Sequence, residues 1–179
     1  MNSRLALLLC ALAIAPSTLV ATGCGSDTKT VSSTGANGQV TSKTVPDVKF
    51  AKTKFVLHAG LAFGAIKRWI YNPWQAGTFK SGAEGRTKAL IKAAAAAAFS
   101  VQQLKSARNA ALSDEKLRGV GEKMTGMINQ VSSLTPGLKS GSFDPAQIAG
   151  LAAGIGGLTA LAGDAGAKVK ELSAPIPGG

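Results

Sequence analysis

Histidine occurs once, cysteine twice and acidic side chains nine times in these 179 residues. Each shortage removes a chemistry. A zinc site takes three or four Cys, His or carboxylate ligands at suitable spacing, and Cys10, Cys24 and His58 are too few and too scattered to supply one. Among the acids, Glu84, Asp114 and Asp144 stand where helix starts need them and Asp27 falls in a polar run, so too few remain for a paired general acid and base. His58 lies inside the apolar stretch FVLHAGLAFGAI with no acid close by, and no nucleophile-elbow serine pattern occurs elsewhere. It is expected as a packed or interfacial side chain. The glycines of GIGGLTALAG sit within a helical hydrophobic pattern rather than between a strand and a helix, which argues against a phosphate loop. The expectation is a non-enzymatic protein with no metal.

What the chain does carry begins at its N-terminus. Arg4 precedes an unbroken apolar run from Leu5 to Ala15, and Pro16 then leads into small residues, the layout of a secretory signal peptide. As a helix that run would span about 16 Å, half of a bilayer's hydrocarbon core, so it is short for a permanent span. The segment Ala21-Thr22-Gly23-Cys24 resembles the lipobox of bacterial lipoproteins, with alanine where leucine is commonest three positions before the cysteine. The resemblance covers residues 1–24. It implies that residues 1–23 are removed and that Cys24 becomes the first mature residue, with palmitate-type acyl chains in a diacylglyceryl group on its sulfur. That covalent lipid would be the only prosthetic group. Small residues at Ala21 and Gly23 would also suit cleavage without lipidation, which would give a secreted chain. Two acyl chains, at about 0.8 kcal/mol per CH2, hold a protein stably on a bilayer. The place of work is then the extracytoplasmic face of a bacterial membrane, the cytoplasmic membrane if the cell is Gram-positive.

With the signal removed, a single cysteine is left and no intramolecular disulfide can form. Residues 24–179 hold 19 basic and 9 acidic side chains. The excess is uneven: residues 43–92 contain ten basic residues against Asp47 and Glu84 alone. Such a surplus suits an anionic partner: acidic lipid headgroups, an envelope polymer or, least of all in an exported protein, nucleic acid. The candidate contacts are Lys49, Lys52, Lys54, Lys67, Arg68, Trp69, Trp74 and Lys80, where basic and aromatic residues adjoin an apolar run as at a membrane interface.

Residues 24–48 are rich in Ser, Thr, Gly and Lys, and are expected to form a disordered tether with a reach of roughly 25 Å. Residues 49–172 then read as an all-α domain, a bundle of about four helices near 50–71, 83–112, 114–134 and 145–172, with 173–179 a frayed tail. Asn72-Pro73 should end the first helix, and Ser81 with Glu84 fits a capping box for the second. The second helix shows a narrow seam from Leu90 through Ala97 and Leu104 to Ala111, and spans roughly 45 Å. In the third, Leu117, Val120, Met124, Met127, Val131 and Leu134 alternate spacings of three and four, until Thr135-Pro136-Gly137 stops it. The fourth starts at Asp144-Pro145, with Gln147 completing a box and Phe143 able to staple to Ile148. It should pack along its whole length, with Gly150 and Gly154 admitting a neighbour. Three functional readings follow: an envelope interaction or structural module, a membrane-active protein inserting 55–74 or 145–163, and a binder of an apolar ligand inside the bundle.

Overall fold

The computed structural model describes residues 28–34 and 39–174. Residues 1–27, which include the expected signal peptide and Cys24, lie outside them, as do residues 35–38 and 175–179. Within the stretch expected as a structureless tether, strands β1 (Thr28–Thr34) and β2 (Val40–Pro46) pair antiparallel, with Thr28 opposite Pro46 and Thr34 opposite Val40. This corrects the sequence reading. Low hydrophobicity suggested disorder, but Thr and Val are β-branched and favour a pleated strand. The hairpin is also held from outside. Val45 is 1% exposed, Pro46 O accepts from the Ser113 hydroxyl, and Lys43 Nζ reaches Glu122 at 3.1 Å.

The all-α expectation holds for the rest. Helix α1 (Ala51–Ile66) continues through a π-helical turn (Lys67–Tyr71) into the short α2 (Asn72–Gln75), making one rod. Asn72-Pro73 therefore does not end the helix. Proline lacks an N–H and its ring strikes the carbonyl four residues back. A π-turn shifts the ladder by one residue just ahead of it: the Asn72 N–H goes to Lys67 O, and Pro73 falls in the first turn of α2, where no N–H is needed. Burial of Phe55, Phe63, Ile66 and Ile70 rewards keeping the rod intact.

Helix α3 (Arg86–Ser113), about 42 Å long, is the central element. It runs antiparallel to α1, with Gln103 opposite His58, Ser100 opposite Ala62 and Lys92 opposite Trp69. Its narrow seam proves to be half of the buried surface: Leu90, Ala97, Leu104 and Ala111 are buried, and so are Ala93, Ala96, Ser100, Ala107 and Ala110. Alanine gives little hydrophobic periodicity, which hides a second face. The capping box at Ser81 and Glu84 does not form. The N-cap is Gly85 in the left-handed region, φ 70°, with no side-chain cap, and Arg86 ties the start down by donating to Phe79 O and Gly141 O.

The break after Ser113 is as expected, with Asp114 Oδ1 accepting from the N–H groups of Lys116 and Leu117 at 2.9 and 3.2 Å. Helix α4 (Arg118–Ser140) buries Val120, Met124, Met127, Val131 and Leu134 in the predicted alternation. It passes through Pro136 rather than stopping there. The carbonyl that Pro136 leaves without a donor belongs to Ser132, on the exposed side where water can satisfy it, and a further turn buries Leu138 completely. Gly141, φ 74°, ends the helix.

Helix α5 (Pro145–Asp164) starts as expected at Asp144, whose carboxylate accepts from Ala146 N–H. The box expected of Gln147 does not form: the Asp144 carboxylate takes the Ala146 N–H alone, and Gln147 gives its backbone N–H to Asp144 O, while the Phe143 ring meets Phe79 edge-on at 5.6 Å. Two expectations fail beyond that point. The helix ends at Asp164, not near 172. Gly166, φ 76°, turns the chain, and residues 167–174 run extended along α1 as a strap, with Leu172 N–H donating to Gly60 O at 3.0 Å and Ala174 buried. Nor does α5 pack along its whole length: only Ile148, Leu151, Leu158 and Ala162 are buried. Gly154 does meet Met127 of α4, but a Cβ on Gly150, Gly156, Gly157 or Gly163 would meet open space. Replacing Gly150 and Gly157 by alanine is accordingly expected to stabilise the domain by about 1–2 kcal/mol in all, since alanine exceeds glycine by about 0.8–1.0 kcal/mol per helix position. A higher urea midpoint at unchanged slope checks this.

Candidate functional site

The expected basic and aromatic contacts do not form one surface. Lys49, Lys52 and Lys54 cluster at the start of α1, whereas Lys67, Arg68 and Trp69 lie about 22 Å further along the same rod. Trp69 belongs to the fold. It is half-buried, with Arg68 Cζ 5.2 Å and Lys92 Nζ 5.1 Å from its ring centre, and its indole N–H is buried without a partner. Lys67 is engaged with Glu171 of the strap at 2.8 Å. Trp74 meets Tyr71 at a tilt of 47°, 5.7 Å between ring centres, and shares with Lys80, Phe79 and Phe143 a recess of about 440 Å³. Lys80 itself is exposed.

At the other end of the rod, Lys49, Lys52 and Lys54 are all exposed and make no ion pair among the described residues. Lys52 and Lys54 occupy the first turn of α1, which has no acid. Cations there oppose the helix dipole, so their charge does not stabilise this helix. Between Lys49 and the helix stands Phe50, 81% exposed and held at φ 55°. Composition pointed to the lysines, but Phe50 was absent from the expected contacts, since exposure cannot be read from a lone aromatic.

His58 is half-buried. Its Nδ1 lies 2.7 Å from Gln103 Oε1, and with that oxygen accepting, Nδ1 carries the proton. The contact ties α1 to α3.

A concavity lies where α5 passes the π-turn of the α1 rod. This cleft, about 560 Å³, is lined by Ile66, Tyr71, Ala152, Ile155, Gly156, Thr159 and Ala160, with Lys67 and Glu171 at its rim. Its α5 wall is low because the residues there are small. Neither segment marks it on its own, since the two walls are some 80 residues apart in the chain.

Helix α5 is long and apolar enough to cross a membrane, and 22% of its most apolar window, mean hydropathy 1.4, is buried. Its outward positions are nevertheless almost all glycine and alanine, with Leu161 the one large aliphatic, 39% exposed. Hydropathy overstates what such a face gains from leaving water, because the gain scales with apolar area. Residues 55–74 are committed inward through Phe55, Phe63, Ile66 and Ile70. Structurally this is a bundle of four helical rods, with a strand hairpin on one side and a C-terminal strap across the first rod. Comparison with protein-family models, curated proteins and solved structures yields no match.

Proposed function

We propose that this protein is a non-enzymatic, lipid-anchored module of the bacterial cell envelope, and that its helical domain binds an apolar chain in the cleft between α5 and the α1 rod. The cleft carries the reading. Its volume of about 560 Å³ falls within the range of small-ligand sites, which are mostly apolar with a few polar groups fixing orientation. Tyr71 and Ile155 supply the apolar walls, and Lys67 stands at the rim. The Lys67–Glu171 pair is about half exposed on both sides. Such pairs contribute about 0–1 kcal/mol, so an anionic head group can take the place of Glu171 at small cost. The anchor at Cys24 places the domain where acyl chains are abundant.

The test is thermal unfolding with myristate below its micellar concentration. At about 100 times the dissociation constant, a ligand of the native state adds about 2.7 kcal/mol, a rise of roughly 5–10 °C for a domain of this size. Gly156→Leu is the control, since its side chain enters open space and fills the cleft. That variant should fold and lose the ligand response. Equal shifts in both proteins, or none in either, sink the proposal.

A membrane-active role for α5 finds support in its length and hydropathy, and the Gly/Ala composition of its outward face stands against it. Solubility of the domain without Cys24 separates the two.

A further inference from the structure

The hairpin fixes where an anchor must enter. Its register sets Thr28 beside Pro46, and Lys29 beside Asp47 at 3.5 Å, so the chain enters the domain next to the start of α1. Cys24 precedes Thr28 by four residues, and four residues span at most about 14 Å. The roughly 25 Å of free reach expected of a long tether is thereby lost. Resting on the reading of Cys24 as lipidated, we propose that Lys49, Phe50, Lys52 and Lys54 dock on the anionic headgroups of the same membrane that holds the anchor.

Three observations converge on this end of the bundle. The lysines are exposed and make no ion pair among the described residues. Phe50 is by far the most exposed aromatic side chain, at 81%, and an aromatic ring beside lysines suits the headgroup level of a bilayer. The end of α3 and the turn into α4 meet the hairpin here through Ser113 and Pro46, and Gly166, at the foot of the strap, lies against Lys52 Nζ. Those segments bring Lys116 and Lys168, both exposed. Of the described acids at this end, Asp47 is paired with Lys29, which leaves Asp114, Glu115 and Asp164 against five lysines. Each lysine near an anionic leaflet strengthens binding about five-fold. A short tether adds to this by holding the patch at high effective concentration. The α5 cleft and Lys67 then stand away from the bilayer surface, about 22 Å further along the α1 rod.

The test uses the full lipidated protein in vesicles of phosphatidylcholine, with or without phosphatidylglycerol. Lipidation leaves no native free thiol, so Thr53→Cys and Asn129→Cys, both exposed positions, each accept one fluorophore. A lipid with a nitroxide at the headgroup should quench the label at 53 several-fold more than the label at 129, and only in anionic vesicles. Charge reversal by K49E, K52E and K54E together should bring the label at 53 down to the level at 129. Inserting about 20 Gly/Ser residues between Asp27 and Thr28 should lower the docked fraction about ten-fold as effective concentration falls. Equal quenching at both positions in a chain whose N-terminal peptide carries the diacylglyceryl mass overturns the docking and leaves the anchor standing. An N-terminal peptide without that mass, on a chain that leaves the vesicles, overturns both.

Discussion

Replacing Gly64 by alanine is expected to destabilise the domain by about 2–3 kcal/mol, at the upper end of the range for overpacking, and to release residues 167–174 from α1. The reason is a backbone contact. A Cβ on Gly64 would collide with the carbonyl oxygen of Leu172, and one on Gly60 with that of Lys170. Neither oxygen belongs to a flexible side-chain end that could swing aside, and Leu172 is also held by its hydrogen bond to Gly60 O. A loss of that size lowers the melting temperature by roughly 5–10 °C in a domain of this length. The loss cannot exceed what the strap contributes, so a chain ending at Gly166 sets the ceiling. In that shortened chain the same substitution should change sign, because alanine then gains about 1 kcal/mol over glycine in a helix that nothing approaches. Thermal unfolding of the four proteins checks the cycle. Destabilisation by Gly64→Ala in both backgrounds would mean that the strap is not what Gly64 accommodates.

A larger loss, about 3 kcal/mol or more, is expected from Ala62→Leu. Ala59, Ala62 and Ala65 on α1 and Ala93, Ala96, Ala97 and Ser100 on α3 are all buried. These small side chains let two helices approach until the Ser100 hydroxyl reaches Ala62 O at 3.3 Å. A leucine at Ala62 has no void to enter and must part α1 from the central helix. Overpacking of this kind ordinarily costs about 1–3 kcal/mol and occasionally more, and here the strain falls on the interface that carries Phe55, Phe63 and Ile66. Ser100→Ala, which removes only the hydrogen bond, should lose about 1 kcal/mol. Ile91→Ala, at a position 66% exposed on the same helix, should stay within about 0.5 kcal/mol. Urea denaturation of the three variants ranks them. A tolerated Ala62→Leu would show that the two helices are not in close contact.

Much of the bundle was legible from residues alone. The alternation from Leu117 to Leu134, the Asp144-Pro145 start and the Asp114 break all form where their patterns place them, because each depends on neighbours within a few residues in the chain. The errors share one origin in distant contacts. Proline rules ended helices at Asn72-Pro73 and Thr135-Pro136, but burial of Ile70 and Leu138 by other elements outweighs the local penalty. The cap at Ser81 lost to Arg86 bridging to Phe79 and Gly141, the latter 55 residues away. Gly60 and Gly64 admit a close neighbour, yet sequence could not say that it was the chain's own C-terminal segment. The candidate contacts were legible as residue types and not as a surface.

The sequence by itself determined the helical class, the number of rods, the facing seam of α4 and the excess of positive charge, since periodicity, propensity and composition are local or additive properties. Only the tertiary structure decided which lysines stand together, that Thr28 sits beside Pro46, and that a cleft opens between α5 and the π-turn. Those features come from segments far apart in the chain whose meeting depends on packing, and no single segment records the shape of its partner.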